Sequence, residues 1–272
     1  MDEFTFKKIK KIIQCPISGR TLNLDVNKQK LITDDNTVEY SIIDDIIDFV
    51  PEESRKNIDA YAKRAKRYEK IFEKPGLLIR LFDKFVWGIK HDDYAPQVVG
   101  FIPENFNGIL LDIPVGTGIF TCEKYKNLSN ATIIVADYSI NMLKFAKQKY
   151  TANNITNIIY LHADVGYLPF LNQSIEMLIS MNGFHAFPNK SKALKEIARV
   201  LKIEGQFFGC FYIKGIRKRT DLVVKNYYSR RGWFKPPYYT MEETIQKINQ
   251  YFKLIINYNC EAMFVFNSIK MS

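Results

Sequence analysis

The chain has 272 residues, of which 47% are hydrophobic and 14% aromatic, and its formal net charge is +10. This length and composition are those of a globular protein with a full core, which excludes a wholly disordered chain. The positive charge permits an anionic partner without requiring one, because biased use of lysine, isoleucine and asparagine accounts for it equally well.

The cysteines and the apolar segments restrict the class of protein further. The four cysteines lie far apart without a C-x-x-C pair, which argues against both a disulfide framework and a metal site. The first 15 residues contain four lysines and have no long apolar core, so they do not resemble a signal peptide. Because the sequence has no apolar stretch of membrane-spanning length either, we expect a cytoplasmic protein.

Residues 1–52 predict a small β-rich appendage. The stretch CPISGRTL, which begins at Cys15, is rich in turn-forming residues. The stretch LITDDNTVEYSI has apolar runs on both sides of a turn around Asp35, which is typical of a hairpin.

Residues 53–100 predict a helical lid or linker. Between residues 58 and 72, apolar and aromatic side chains recur at steps of three and four, which places them on one face of a helix. The opposite face is basic, and we favour a solvated surface over a nucleic-acid footprint. After Pro75 and Gly76, residues 77–90 predict a second amphipathic helix.

The segment ILLDIPVGTGIF, residues 109–120, predicts a buried strand followed by a glycine turn at the strand's carboxyl end. Gly116 lets a ligand approach the backbone, and Gly118 allows close packing of helix on strand. A dinucleotide fingerprint would need a third glycine where Thr121 stands. Asp112 would also repel a phosphate, so a positively charged ligand suits the loop better. A turn that only connects strand to helix is the alternative.

Two further strands end in carboxylates. The segment ATIIVADYS ends a second strand at Asp137, where an acid can accept hydrogen bonds from both ribose hydroxyls of a nucleoside. The segment IIYLHADVGYLPF ends a third strand near His162 and leaves Asp164 just beyond it. Strands that alternate with helices predict a parallel sheet, so the three acids should meet at one edge.

Four stretches of the chain together carry a family resemblance: LDIPVGTG, ADYS with Asn141 and Met142, ADVGYLPF, and the run from Met181 to Gly205. They resemble class I S-adenosylmethionine-dependent methyltransferases, nearest the ubiquinone/menaquinone-biosynthesis branch. The resemblance covers residues 55–272. It implies a Rossmann-like α/β fold: a seven-stranded, mostly parallel sheet with an antiparallel C-terminal strand, formed by a domain at residues 101–272.

The N-terminal segment has a resemblance of its own. The stretch CPISG followed by EYSIIDDIIDFVP is similar to the zinc-ribbon-like segment fused to some methyltransferases. Because Ser18 stands where that segment has a metal ligand, we expect a metal-free module.

The resemblance also implies the residues that bind the cofactor S-adenosyl-L-methionine. Tyr138 and Met142 would enclose the adenine, although a methionine at helical spacing is more often a core residue. Tyr61 or Tyr68 of the lid would contact the cofactor or be ordinary core aromatics. The predicted cofactor-binding residues are Asp112, Pro114, Gly116, Gly118, Asp137, Tyr138, Met142, Asp164, Val165 and Asn182.

The segment MNGFHAF follows the fourth predicted strand, IEMLIS. In the family this position faces both cofactor and substrate, so Asn182 and His185 are the candidates for polar groups on the substrate side. His185 could act as a catalytic base at neutral pH. A structural histidine is the equally weighted alternative.

Residues 213–239 interleave lysines and arginines with tyrosines, Trp233 and Phe234. This composition suits stacking and phosphate contacts with nucleic acid, and it equally suits a cap over a small anionic or aromatic substrate. Its position after the fifth strand resembles the family's substrate-covering segment, which favours the cap. We therefore expect methyl transfer to a small molecule by in-line displacement. An RNA methyltransferase, acting on ribosomal or transfer RNA, and a non-catalytic S-adenosylmethionine-binding protein are the alternatives.

Overall fold

A computed structural model describes residues 1–50, 84–89 and 91–272. The N-terminal module, residues 1–50, begins with helix α1 (Glu3–Ile9), which Asp2 caps by accepting a hydrogen bond from the Thr5 amide. Four strands follow, and each pairs antiparallel with the next. They are β1 (Leu22–Asp25), β2 (Lys30–Thr33), β3 (Glu39–Ile43) and β4 (Ile46–Asp48).

The rest of the described chain supplies seven more strands to the same sheet. Five of them run parallel to one another: β5 (Ile109–Asp112), β6 (Thr132–Asp137), β7 (Ile158–His162), β8 (Ile175–Met181) and β9 (Leu201–Tyr212). Two form an antiparallel hairpin that pairs with β9: β10 (Phe252–Cys260) and β11 (Met263–Lys270). The strand order is β1-β2-β3-β4-β7-β6-β5-β8-β9-β11-β10.

The sheet therefore has 11 strands among the described residues, and the prediction of seven was wrong in this detail. The difference arises because β4 pairs in parallel with β7, which merges the N-terminal module with the main sheet. A free edge at β7 would leave a row of backbone donors and acceptors unpaired, and β4 satisfies them. Within the larger part of the described chain, the C-terminal strand β11 runs antiparallel to both of its neighbours, β9 and β10.

Six helices connect or flank the strands of this larger part. They are α2 (His91–Val99), α3 (Cys122–Tyr125), α4 (Ile140–Ala152), α5 (Lys190–Val200), α6 (Lys218–Val223) and α7 (Met241–Ile248). Ser139 and Asn189 cap α4 and α5 by accepting hydrogen bonds from backbone amides. The sequence pattern predicts a helix from Ile119 to Leu128, but α3 is shorter, because the glycine turn continues to Thr121 before helical hydrogen bonding begins.

Apolar side chains cover both faces of the sheet. Leu111 belongs to one buried cluster and Leu110 to the other, as expected of a central parallel strand. Tyr61 and Tyr68 of the predicted lid lie outside the described residues. Across the ranges that the structure describes, none of the helices has the length and apolar character that crossing a bilayer requires.

Candidate functional site

The glycine loop, residues 113–118, leaves β5 at the carboxyl edge of the sheet. Gly116 has φ +58°, and a Cβ added there would meet no atom within 4 Å. Gly118 has φ +71°, and its added Cβ would lie 2.6 Å from the hydroxyl oxygen of Tyr150. The two glycines therefore have the two different geometries that the sequence predicts: Gly116 borders open space, whereas Gly118 packs closely.

Asp112 lies beneath this loop and is 1% exposed. Its Oδ2 accepts hydrogen bonds from the hydroxyls of Tyr125, at 2.9 Å, and Thr121, at 3.1 Å. Its Oδ1 is buried without a hydrogen-bond partner among the described residues. Burial raises the pKa of this carboxyl to about 7. Leaving a buried oxygen such as Oδ1 without a hydrogen bond costs free energy, so a ligand that brings a donor or a cation to it would be stabilised.

Asp137 connects the end of β6 to the glycine loop. Its Oδ2 accepts from the Gly116 amide at 2.9 Å, and its Oδ1 accepts from the Ser139 amide at 2.8 Å. Burial raises the pKa of Asp137 to about 6. Each carboxylate oxygen has a second lone pair, so the side chain can still accept hydrogen bonds from hydroxyl groups.

The other predicted cofactor-binding residues surround these two acids or lie close in sequence. Asp164 is half-buried just beyond β7, where its Oδ1 accepts from the Gly166 amide at 2.8 Å, and Val165 is buried beside it. Tyr138 is half-buried and directly follows β6, whereas Met142 is buried in the first turn of α4. Val165 belongs to one of the two buried apolar clusters, whereas Met142 is buried but belongs to neither.

The loop after β8 packs directly against the glycine loop. A Cβ added to Gly183 would lie 2.2 Å from Cδ of Pro114. The neighbouring Asn182 adopts φ +55°, a conformation that non-glycine residues rarely have and that is concentrated at functional sites. Its amide nitrogen Nδ2 donates to the hydroxyl of Tyr94 in α2 at 3.4 Å. The predicted cofactor side and substrate side are therefore in contact.

His185 lies in a short 3-10 turn, Phe184–Ala186, just beyond β8. Its Nδ1 accepts a hydrogen bond from the Tyr212 amide at 3.0 Å, and its ring stacks on Phe234 with centroids 3.8 Å apart. Burial and, to a smaller extent, the charge of Lys190 lower the pKa of His185 to about 3. The ring is neutral, and Nδ1, the nitrogen that would take up a proton, already accepts a hydrogen bond. These properties suit a structural residue better than a catalytic base.

The sequence pattern did not single out Lys190, which is 3% exposed at the start of α5. Its ammonium donates to the carbonyl oxygens of Phe187, at 3.2 Å, and Lys235, at 2.6 Å. Burial lowers the pKa of Lys190 to about 8. The Lys235 amide in turn donates to the His185 carbonyl at 2.9 Å. A lysine in a helical pattern is usually exposed, so no local signal distinguishes this one.

These bonds hold the cap segment, residues 213–239, over the ends of β8 and β9. The ring of Trp87 lies 6.0 Å from Tyr212, 5.8 Å from Tyr228 and 6.1 Å from Phe234, measured between centroids. Aromatic rings at this spacing attract one another through edge and tilted contacts. The result is an aromatic wall of these four residues on the side where the sequence predicts the substrate.

Several cations of the cap segment are bonded within the protein. Lys214 pairs with Glu243 at 3.3 Å, and Arg217 pairs with Glu261 at 2.8 Å. The guanidinium of Arg231 lies 4.3 Å from the ring centroid of Tyr227. These side chains are therefore engaged by the protein itself.

Residues 111–209 match the family model described as "Methyltransferase domain". An uncharacterized chloroplastic methyltransferase of Arabidopsis thaliana is 31% identical over 48% of this chain and 38% of its own length. A ubiquinone/menaquinone biosynthesis C-methyltransferase of Blochmanniella pennsylvanica is 34% identical over 42% of this chain and 47% of its own length. The chain thus spans less than two thirds of these relatives.

The fold is also similar to that of a solved S-adenosylmethionine-dependent methyltransferase from Aquifex aeolicus. The TM-score is 0.55 and the sequence identity 14%, over 76% of this chain and 98% of the other. At a sequence identity of 14%, the comparison shows a similarity in fold alone.

Proposed function

We propose, from the class I S-adenosylmethionine-dependent methyltransferase domain that residues 111–209 form, that the whole protein transfers a methyl group to a small-molecule acceptor. The main support is the open space beside Gly116, whose amide donates to Asp137, together with the unpartnered buried oxygen of Asp112 at the end of β5. The relatives named above are methyltransferases, which agrees with this activity.

The residues present fit S-adenosylmethionine. A carboxylate such as Asp112 stabilises a nearby ammonium group and would repel a phosphate. Asp137 has free lone pairs for the two ribose hydroxyls, while its backbone hydrogen bonds fix its orientation. We assign the remaining contacts to Tyr138, Asp164 and Val165 on the adenosine side and to Pro114, Gly118 and Asn182 around the loop. We propose that Met142 packs against the adenine.

When bound, this cofactor supplies an activated methyl group on a sulfonium. The protein's own residues then have to align the acceptor and exclude water, which requires no catalytic base for an acidic acceptor. We propose that His185 acts by positioning: it fixes the loop after β8 and supports Phe234, which forms part of the wall facing the acceptor.

The aromatic wall favours a planar aromatic or apolar acceptor. Trp87, Tyr228 and Phe234 offer ring faces and edges at the carboxyl edge of the sheet, where an acceptor has to approach the cofactor. The exposed cations of the cap segment, among them Lys218 and Arg230, would favour an acceptor with an anionic group.

An RNA acceptor is the second candidate, because the cap segment is basic and aromatic. Arg217 and Lys214 are paired with carboxylates, and Arg231 lies on a tyrosine ring, so these side chains do not form a row for phosphates. The pairing of these three cations within the protein supports the small-molecule acceptor over RNA.

Calorimetric titration with S-adenosylmethionine and with NAD tests the choice of cofactor. We expect only S-adenosylmethionine to bind, and we expect Gly116→Arg and Asp137→Ala to abolish or greatly weaken binding. Binding of NAD with similar affinity would contradict the proposal.

Titration with total RNA at two salt concentrations tests the second candidate, the RNA acceptor. Binding that falls steeply as the salt concentration rises would favour it.

A further inference from the structure

The pair formed by Asp48 and His162 joins the N-terminal module to the cofactor side of the sheet. The two residues are direct partners in the parallel pairing of β4 with β7. Nδ1 of His162 lies 2.8 Å from Oδ1 of Asp48. The Phe49 amide also donates to the His162 carbonyl at 2.9 Å, so backbone and side chain both make the connection.

The other ring nitrogen of His162 reaches the turn that follows β6. Nε2 lies 3.0 Å from the carbonyl oxygen of Tyr138. This carbonyl belongs to the peptide between Tyr138 and Ser139, whose amide nitrogen donates to Oδ1 of Asp137 at 2.8 Å. One rigid peptide unit therefore separates the histidine ring from the carboxylate that we assign to the ribose.

The two partners of His162 fix the orientation of its ring. The carbonyl of Tyr138 is an acceptor, so Nε2 donates to it, while Nδ1 is bonded to the carboxyl group of Asp48. The histidine ring is 4% exposed and the Asp48 side chain 12%, so water screens this pair little.

We propose that Asp48 and His162 are positioning residues for the cofactor, through which the N-terminal module fixes the turn at Asp137–Ser139. The inference rests on the proposed function, since it concerns the same cofactor site. Asp48 holds the histidine ring in place, and the ring donates to the carbonyl of Tyr138 and fixes its position. That peptide then presents the Ser139 amide to Asp137.

The location of the pair supports this role. Burial raises the pKa of Asp137, whereas the hydrogen bonds from the Ser139 and Gly116 amides and the charge of His162 lower it. The histidine ring therefore lies beside the Asp137 carboxylate and also fixes the peptide whose amide donates to it.

The test uses the full chain with His162→Phe, Asp48→Asn and a control, Asp45→Asn. Asp45 also belongs to the N-terminal module and pairs with Lys147 of α4 at 2.9 Å, but it does not contact His162. Like Asp48→Asn, the control removes one carboxylate charge from the N-terminal module and one contact between that module and the rest of the described chain. All three proteins are compared by their thermal midpoints and by calorimetric titration with S-adenosylmethionine.

We expect His162→Phe to weaken S-adenosylmethionine binding about tenfold or more, the scale on which residues that orient metal ligands act. Asp48→Asn should weaken it less, because asparagine can still bond to Nδ1, and Asp45→Asn should leave it unchanged. Nitrogen NMR of the histidine ring provides a readout without ligand: Nε2 of His162 should carry the proton that it donates to the Tyr138 carbonyl.

Three results would overturn the inference alone: a wild-type ring without a proton on Nε2, a folded His162→Phe variant that binds like the wild type, or equal weakening by Asp45→Asn. If His162→Phe does not fold, Asp48→Asn decides, and unchanged binding in that variant would overturn the inference. A wild-type protein that does not bind S-adenosylmethionine at all would instead overturn the proposed function.

Discussion

The ammonium of Lys190 donates to the carbonyl oxygen of Lys235 at 2.6 Å, although the two residues are 45 positions apart in the sequence. This bond attaches the cap segment to the start of α5. The same ammonium donates to Phe187, so one buried side chain joins the loop after β8 to the cap.

We expect Lys190→Met to loosen the cap segment. Methionine fills similar space but cannot donate hydrogen bonds, so the carbonyls of Lys235 and Phe187 would lose a partner. Limited trypsin digestion should then cleave within residues 213–239 several times faster than in the wild type, while the affinity for S-adenosylmethionine stays the same. Lys195→Met, an exposed position on the same helix, is the control, and equal cleavage of both variants would contradict the expectation.

The stability of the ligand-free protein should depend on pH through Asp112. Its pKa is about 7 in the folded protein, against an ordinary value of 3.8, so between these values the folded state binds more protons than the unfolded chain. The free energy of unfolding should therefore fall as the pH rises from about 4 to 7, with Asp137 contributing in the same direction. Urea unfolding across this range should give a flatter profile for Asp112→Asn. Identical profiles would show that Asp112 is not buried in this way.

Alanine substitutions at the two loop glycines should separate binding from stability. Both have positive φ, so each alanine costs roughly 1–2 kcal/mol of backbone strain. Gly118→Ala should cost more, because its Cβ would collide with the hydroxyl of Tyr150. Gly116→Ala should mainly weaken S-adenosylmethionine binding, because its Cβ enters the open space. Thermal midpoints and calorimetry measure the two effects, and the reverse order would contradict the geometry.

His185 should stay neutral throughout the physiological range. Burial lowers its pKa to about 3, and its Nδ1 accepts from Tyr212, so the ring should carry its proton on Nε2. In an NMR titration from pH 5 to 8 the His185 signals should not shift in the folded protein, whereas in the urea-unfolded chain they should titrate near the ordinary value of 6.5. Titration in the folded protein near that value would restore His185 as a candidate base.

The strands and turns that form the candidate site were predictable where structure follows local pattern. An apolar run ending in Asp112, a turn with Gly116 and Gly118, and a second strand ending in Asp137 specify a parallel sheet and a ligand-binding loop, because strand burial and glycine conformations are local properties. Neither the protonation of His185 nor the burial of Lys190 was predictable, since each depends on residues that are distant in the sequence.

The sequence by itself determined the order of strands and helices, the glycine loop and the identity of the acids. Only the tertiary structure decided that β4 extends the sheet beside β7, so that Asp48 contacts His162 across 114 positions. Long-range strand pairing depends on which edges remain open once the rest of the sheet has formed, and no local sequence pattern encodes that information.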